Sequence, residues 1–227
     1  MSGGDCERSV ASAATIDELV LADEPERWAA LGFTLLAGCC QLGTVRVRLA
    51  GGGAGRGIVG WSLRGIVSVE LDGLSTSRSD SPLPTAALAH PNGVLSIDHV
   101  VAMSPALDRS VQALQAAGLD LRRLREQPTP AGAPRQAFFR LGAEILEVVQ
   151  EPDGVLERGG GPARPMRLWG LALAVADLDR AVAGLGPHAG SIRPAVQPGR
   201  RIATLRRAAG LSVPVALISL PADPGSV

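Results

Sequence analysis

The chain has 227 residues, 46% of them apolar and 19% charged, with 22 basic side chains balancing 22 acidic ones. That is enough chain for a sizeable core, too apolar for a disordered protein, and without the basic face that nucleic-acid binders use. No segment is apolar for long enough to span a bilayer, and the polar start "MSGGDCERSVASAAT" lacks a signal-peptide core, so the expected location is the cytoplasm, with no membrane partner. All the basic side chains are arginines, which reads as a composition bias. Cys6, Cys39 and Cys40 have neither metal-finger spacing nor the pairing of a disulfide scaffold.

Residues 1–14 read as a tail. "TIDELVLADEPERWAALGF" (15–33) opens with a strand and continues into a short helix ending at Gly32. "TLLAGCC", "GTVRVRLAG" and "GIVGWSLRGI" (57–66) supply strands, so 15–66 forms a first unit. The glycine-rich "GGGAGRG" (51–57) lacks the register of a phosphate loop or dinucleotide fingerprint and reads as a hairpin loop. Residues 67–94, rich in Ser and Pro, read as a connector that ends in the turn "HPNG", where His90 is a rim candidate.

"LSIDHVVAMSPALDRSVQALQAAG" (95–118) is the clearest segment. Ile97–Met103 reads as a strand, Ser104 as a helix N-cap and Pro105 as the first helical position. Leu107, Val111 and Leu114 recur at i, i+4 and i+7, and Gly118 closes the helix. "LDLRRLRE", "RQAFFRL" and "EILEVVQ" then give three strands, completing a β-α-β-β-β unit over 95–151. A linker follows at 152–166. "RLWGLALAVADLDRAVAGLG" matches "SIDHVVAMSPALDRSVQALQ" without a gap through the shared LDR, and three more strands complete another unit over 167–221.

A strand period of two places Ile97, His99, Val101 and Met103 on one face and Asp98, Val100 and Ala102 on the other. Ile145, Glu147 and Val149 share a face in the same way. His99 alone reads as a metal ligand, a catalytic base or a hydrogen-bonded core residue. Glu147, among apolar neighbours, requires a partner, which a metal, a cationic ligand, Arg135 or Arg140 would supply. Phe138 and Phe139 face opposite ways, one to the core and one to a pocket wall. Trp61 is a second wall candidate. Arg200 and Arg201, at a Pro-Gly turn, are candidates for holding a substrate carboxylate or phosphate.

The repeated unit, with "IDHVV" opening one copy and "EILEVVQ" closing it, resembles the vicinal oxygen chelate superfamily of glyoxalase, bleomycin-resistance and extradiol-dioxygenase type. The resemblance implies an α+β fold of βαβββ modules that pair into cupped mixed sheets with helices outside. It implies a divalent metal (Mn, Fe, Ni or Zn) held by first-strand and last-strand residues, here His99 and Glu147, with Glu18 as a third candidate. The corresponding positions of the last unit are Gly170 and Leu217, which offer no side-chain ligand. Pairing of the middle unit with the first would bring Glu18 to His99 and Glu147, whereas pairing with the last would leave two ligands. The implied function is a metal-dependent lyase, isomerase, epimerase or dioxygenase acting on a small oxygenated metabolite. The alternative is a metal-free binding protein with a degenerate site. An odd number of units leaves one without an intrachain partner, which points to a homodimer.

Overall fold

The structure is a computed structural model that describes residues 13–129, 132 and 134–221. Cys6, most of the expected tail and part of the turn before "RQAFFRL" lie outside these residues. In chain order the elements are β1 (Thr15–Leu21), α1 (Pro25–Ala30), β2 (Leu35–Leu36), β3 (Cys39–Leu42), β4 (Val45–Leu49), β5 (Ile58–Arg64), β6 (Thr76–Arg78) and β7 (Val94–Ser104). These are followed by α2 (Leu107–Ala116), β8 (Asp120–Arg125), β9 (Gln136–Leu141), β10 (Glu144–Gln150), α3 (Asp153–Gly159), β11 (Arg167–Val175), α4 (Leu178–Leu185), β12 (Arg193–Pro194), β13 (Arg201–Thr204) and β14 (Val215–Ser219). Among the described residues no helix is long and apolar enough to cross a membrane.

The helices follow local chemistry. Pro25 starts α1, whose Trp28 is fully buried. Asp177 caps α4 by accepting from the Arg180 amide at 3.0 Å. The expected Ser104 cap does not close α2 directly. Ser104 Oγ accepts from the Ala106 amide at 3.1 Å, and the helix begins at Leu107. The reason is that β7 runs on to Ser104, so Pro105 lies in the turn and outside the helix. A further helix, α3, occupies part of the expected 152–166 linker.

Two mixed sheets form. The smaller has the order β2-β3-β4-β1-β5-β6 and the larger β12-β13-β14-β11-β7-β10-β9-β8. In the larger sheet β7 lies parallel to β10 and antiparallel to β11. The middle and last units therefore share one sheet. One face of this sheet packs under helices: Val100, Ala102, Phe139, Leu141, Leu146 and Val148 are buried there with Leu107 and Leu114 of α2. Each such side chain contributes roughly 1.5–3 kcal/mol on burial.

The first unit departs from expectation. Its last strand, parallel to β1, is β4. Strand β5 instead pairs antiparallel with β1, as β11 does with β7, and β6 lies parallel to β5 within the expected connector. The β5–β6 pair has the first and last strands of a module without its helix or middle strands. It stands beside β1 and β4 as the β11–β14 pair stands beside β7 and β10.

A shared irregularity supports this reading. Each module-opening strand carries an extra residue against its antiparallel partner at a matching place: Asp17 in β1, Val59 in β5, Asp98 in β7, which has a second at Leu95, and Trp169 in β11. Such β-bulges re-aim the side chains around them. The residues that follow, Glu18, Gly60, His99 and Gly170, hold equivalent positions. Two residues further along each opening strand, the parallel partners are Arg48, Ser77, Glu147 and Ala216. Ala216, and not Leu217, thus corresponds to Glu147.

Candidate functional site

The bulge at Asp98 reverses one expectation. Ile97 turns to the helix side with Val100 and Ala102, while Asp98 and His99 both turn to the open face. An uninterrupted strand would have separated Asp98 from His99. Here His99 Nδ1 lies 2.8 Å from Asp98 Oδ2. A carboxylate only accepts, so Nδ1 carries the proton and donates.

Parallel pairing of β7 with β10 carries Glu147 to the other side of His99. His99 Nε2 stands 3.5 Å from Glu147 Oε2, with the two side chains 14% and 16% exposed. Gln136, on β9, donates from Nε2 to Glu147 Oε1. Arg200 reaches in from the turn before β13, donating to Asp98 Oδ1 at 2.6 Å and to the Ser219 carbonyl at 2.8 Å. A continuous polar chain results: Arg200, Asp98, His99, Glu147, Gln136. Phe138 sits directly opposite Glu147 across the β9–β10 pair, on the same face, while Phe139 is in the core. A recess of about 490 Å³ opens beside Arg200, walled by Ile192, Pro194 and Gly199.

The electrostatics differ at the two carboxylates. Burial works against the charge on Asp98, but hydrogen bonds from His99 and Arg200 outweigh it and hold this carboxyl below its ordinary range. Burial of Glu147 dominates over the attraction of His99 and the Gln136 bond, so its pKa is pushed up.

The remaining expected residues lie elsewhere. Glu18 is in the other sheet, where Arg46 Nε and Arg48 Nε hold it at 2.8 and 3.0 Å. It cannot join His99, because β1 pairs with β5 and not with β7. Its bulge neighbour Asp17, 4% exposed, accepts from Arg46, Arg64, Ser62 and Ser79. Trp61 is a core residue, 2% exposed, and its indole N–H donates to Thr76 Oγ1 at 2.7 Å. Arg135 is committed to Asp108 and Glu126, and Arg140 is exposed with a single long bond to the Ala143 carbonyl. Neither reaches Glu147, because Gln136 fills the place expected of an arginine. His90 is buried, accepting from the Thr34 amide at Nδ1 and donating to the Gln41 carbonyl from Nε2, so it is a core histidine. Cys40 is fully buried and its thiol is pushed up to about 12, chiefly by burial.

Asp98 and Gln136 were not legible as site residues. A bulge changes which neighbours share a face, and it arises from pairing with β11, which no local pattern records. Gln136 sits two strand positions from Phe138 and was open to notice as a polar residue at a buried strand start.

The donor set bears on a metal. Among the described residues no group of three His, Cys, Asp or Glu side chains is placed to hold a metal ion. Gly170 and Ala216 add no ligand, and a Cβ on Gly170 would lie 2.9 Å from the Pro214 carbonyl oxygen. What is present fits a two-ligand centre: Nδ1 of His99 and Oε1 of Glu147 are already bonded, leaving Nε2 and Oε2 turned toward each other.

Comparison of the sequence with protein-family models and with curated proteins finds no match. Among solved structures, a xylose isomerase-like TIM barrel/4-hydroxyphenylpyruvate dioxygenase fusion protein is similar over 96% of this chain, with a TM-score of 0.60 and 14% identity; the chain spans 51% of that protein. A methylmalonyl-CoA epimerase from Mycobacterium tuberculosis matches 60% of this chain and 94% of its own, with a TM-score of 0.46 and 19% identity. A Bacillus halodurans protein, BH1468, matches 58% of this chain and 98% of its own, with a TM-score of 0.46 and 13% identity. The first of these likenesses runs through both sheets, as the four bulged module openings do. The chain therefore has a glyoxalase-like fold of paired mixed sheets.

Proposed function

We propose that the open face of the larger sheet binds a small oxygenated metabolite, and that His99 and Glu147 are the two protein ligands of a divalent ion (Mn, Fe, Ni or Zn) completed by the metabolite's own oxygens. The activity this implies is that of a lyase, isomerase, epimerase or dioxygenase. The observation that carries the reading is the convergence of His99 Nε2 and Glu147 Oε2 at 3.5 Å with their other polar atoms already held. When bound, such an ion supplies Lewis-acid stabilisation of an enolate-like or oxyanionic charge. Asp98 fixes the His99 tautomer, so that the Nε2 lone pair faces the site. Gln136 fixes the Glu147 rotamer. Arg200 offsets the charge of Asp98, and Phe138 gives the metabolite an apolar wall.

The second reading is metal-free binding of the same class of molecule. Gly170 and Ala216 favour it, because centres with a resident divalent ion ordinarily have three protein ligands. Mn²⁺ titration followed by electron paramagnetic resonance separates the two. The first reading expects one saturable Mn²⁺ per chain, lost in the His99→Ala, Glu147→Ala double variant and kept in Glu18→Ala. Absence of saturable Mn²⁺, Fe²⁺, Ni²⁺ and Zn²⁺ binding would overturn it and leave the metal-free reading.

A further inference from the structure

A second cavity lies on the helix side of the molecule and shares no lining residue with the His99–Glu147 site. Its volume is about 520 Å³, inside the range of roughly 300–1,000 Å³ typical of small-molecule sites. It sits where the two sheets meet. The end of α1 (Ala30, Leu31 and Gly32), the "HPNG" turn and one stripe of α4 form its walls.

The stripe follows from helical spacing. Asp177 at the start of α4, and Arg180, Ala181, Gly184 and Leu185 along it, recur at three- and four-residue intervals and so share a face, while His188 joins the wall from the turn that follows Gly186. Ala181 and Leu185 are buried and, with Leu31, make an apolar floor. The space itself comes from small side chains, since a Cβ added to Gly184 would meet nothing within 4 Å.

The polar groups are few and of one dominant kind. Arg180 uses only its backbone amide, and its guanidinium has no hydrogen bond or ion pair among the described residues. His188 donates from Nδ1 to the Ala208 carbonyl at 3.1 Å, which leaves Nε2 free. Of the other charged or titratable groups at the wall, Asp177 is an exposed carboxylate whose Oδ1 is engaged at the helix start, and His90 is bonded on both nitrogens. Asn92 donates to the Leu31 carbonyl and accepts from the Val94 amide. The unsatisfied donor capacity is therefore one guanidinium beside an apolar floor, since His188 Nε2, with the proton on Nδ1, only accepts.

We propose that this cavity is a second ligand site, for a small organic anion with an apolar body. The anionic head binds the Arg180 guanidinium, and the body lies on Leu31, Ala181 and Leu185. A molecule there bridges α1, from the smaller sheet's layer, and α4, from the larger one's.

The test uses the full chain and two probes of matched chain length, decanoate and decyltrimethylammonium, by calorimetry and thermal unfolding. Decanoate is expected to bind saturably with one site per chain and to raise the unfolding temperature, and the cation to bind much more weakly. Arg180→Gln should weaken decanoate roughly tenfold or more, the loss of one charge-assisted contact. Gly184→Leu, which fills the space from a helical position, should abolish binding while the fold is retained by circular dichroism. The His99→Ala, Glu147→Ala variant should bind decanoate like the wild type. The proposal is overturned by no saturable decanoate binding, by equal binding of the cation, by unchanged binding in Gly184→Leu, or by loss confined to the His99, Glu147 variant.

Discussion

Glu18 and His99 occupy the same position after the same β-bulge in two different sheets, yet only His99 has a free donor atom facing a carboxylate. Glu18 is clamped between Arg46 and Arg48, and Arg48 stands where Glu147 stands in the larger sheet. In the smaller sheet an ion pair occupies the place that a metal centre would need. In the larger sheet the same scaffold presents an imidazole and a carboxylate 3.5 Å apart.

Asp98→Asn removes the carboxylate that orients His99 and pairs with Arg200 while keeping the side chain's size. We expect Mn²⁺ affinity to fall by roughly 10–100-fold with the fold intact, the usual effect of losing a ligand's hydrogen-bond partner. Unchanged affinity would show that Asp98 does not position the imidazole.

Gly170→Ala should destabilise the chain by about 1–3 kcal/mol in denaturant unfolding, because its Cβ would lie 2.9 Å from the Pro214 carbonyl oxygen and backbone cannot yield cheaply. Gly184→Ala is the control. It sits in open space on α4 and should stabilise by roughly 0.5–1 kcal/mol. The contrast explains why a third ligand cannot be restored by substitution at Gly170 alone.

Glu144 is 1% exposed, accepts from Thr44 Oγ1 at 3.0 Å, and leaves Oε2 buried without a partner. Burial, the largest influence, raises its pKa in the folded chain. The unfolded chain thus releases this proton at lower pH, and stability is lost as pH rises through and above the ordinary glutamate range. Glu144→Gln removes that charge and should be more stable than the wild type by about 1 kcal/mol at pH 7. The two should converge below the ordinary glutamate pKa. A constant difference from pH 3 to 8 in urea unfolding would contradict the assignment.

Trp28 donates from Nε1 to Asp23 Oδ2 at 3.1 Å, while Asp23 Oδ1 takes the Ser212 amide at 2.5 Å. This buried carboxylate joins α1 to the loop before β14. Trp28→Phe leaves one of its oxygens without a donor and should cost about 1–3 kcal/mol, read as a lower denaturant midpoint with unchanged slope.

Much of the fold was legible because the repeated unit is written in local periodicity. The shared LDR, the alternation of β7 and β10 and the helical spacing of Leu107 and Leu114 are short-range signals. They sufficed to set His99 and Glu147 on the opening and closing strands of one module. Strand β6 and the role of β5 were not legible, since a two-strand pair without a helix has the local composition of a loop.

The sequence by itself determined the module type and the strands on which His99 and Glu147 lie, because side-chain periodicity and helix spacing are properties of each segment alone. Only the tertiary structure decided that the middle unit pairs with the last, that Glu18 is quenched by arginines, and that Asp98 turns beside His99. Each of these depends on strand register, and register is fixed by backbone hydrogen bonds to a partner strand remote in the chain.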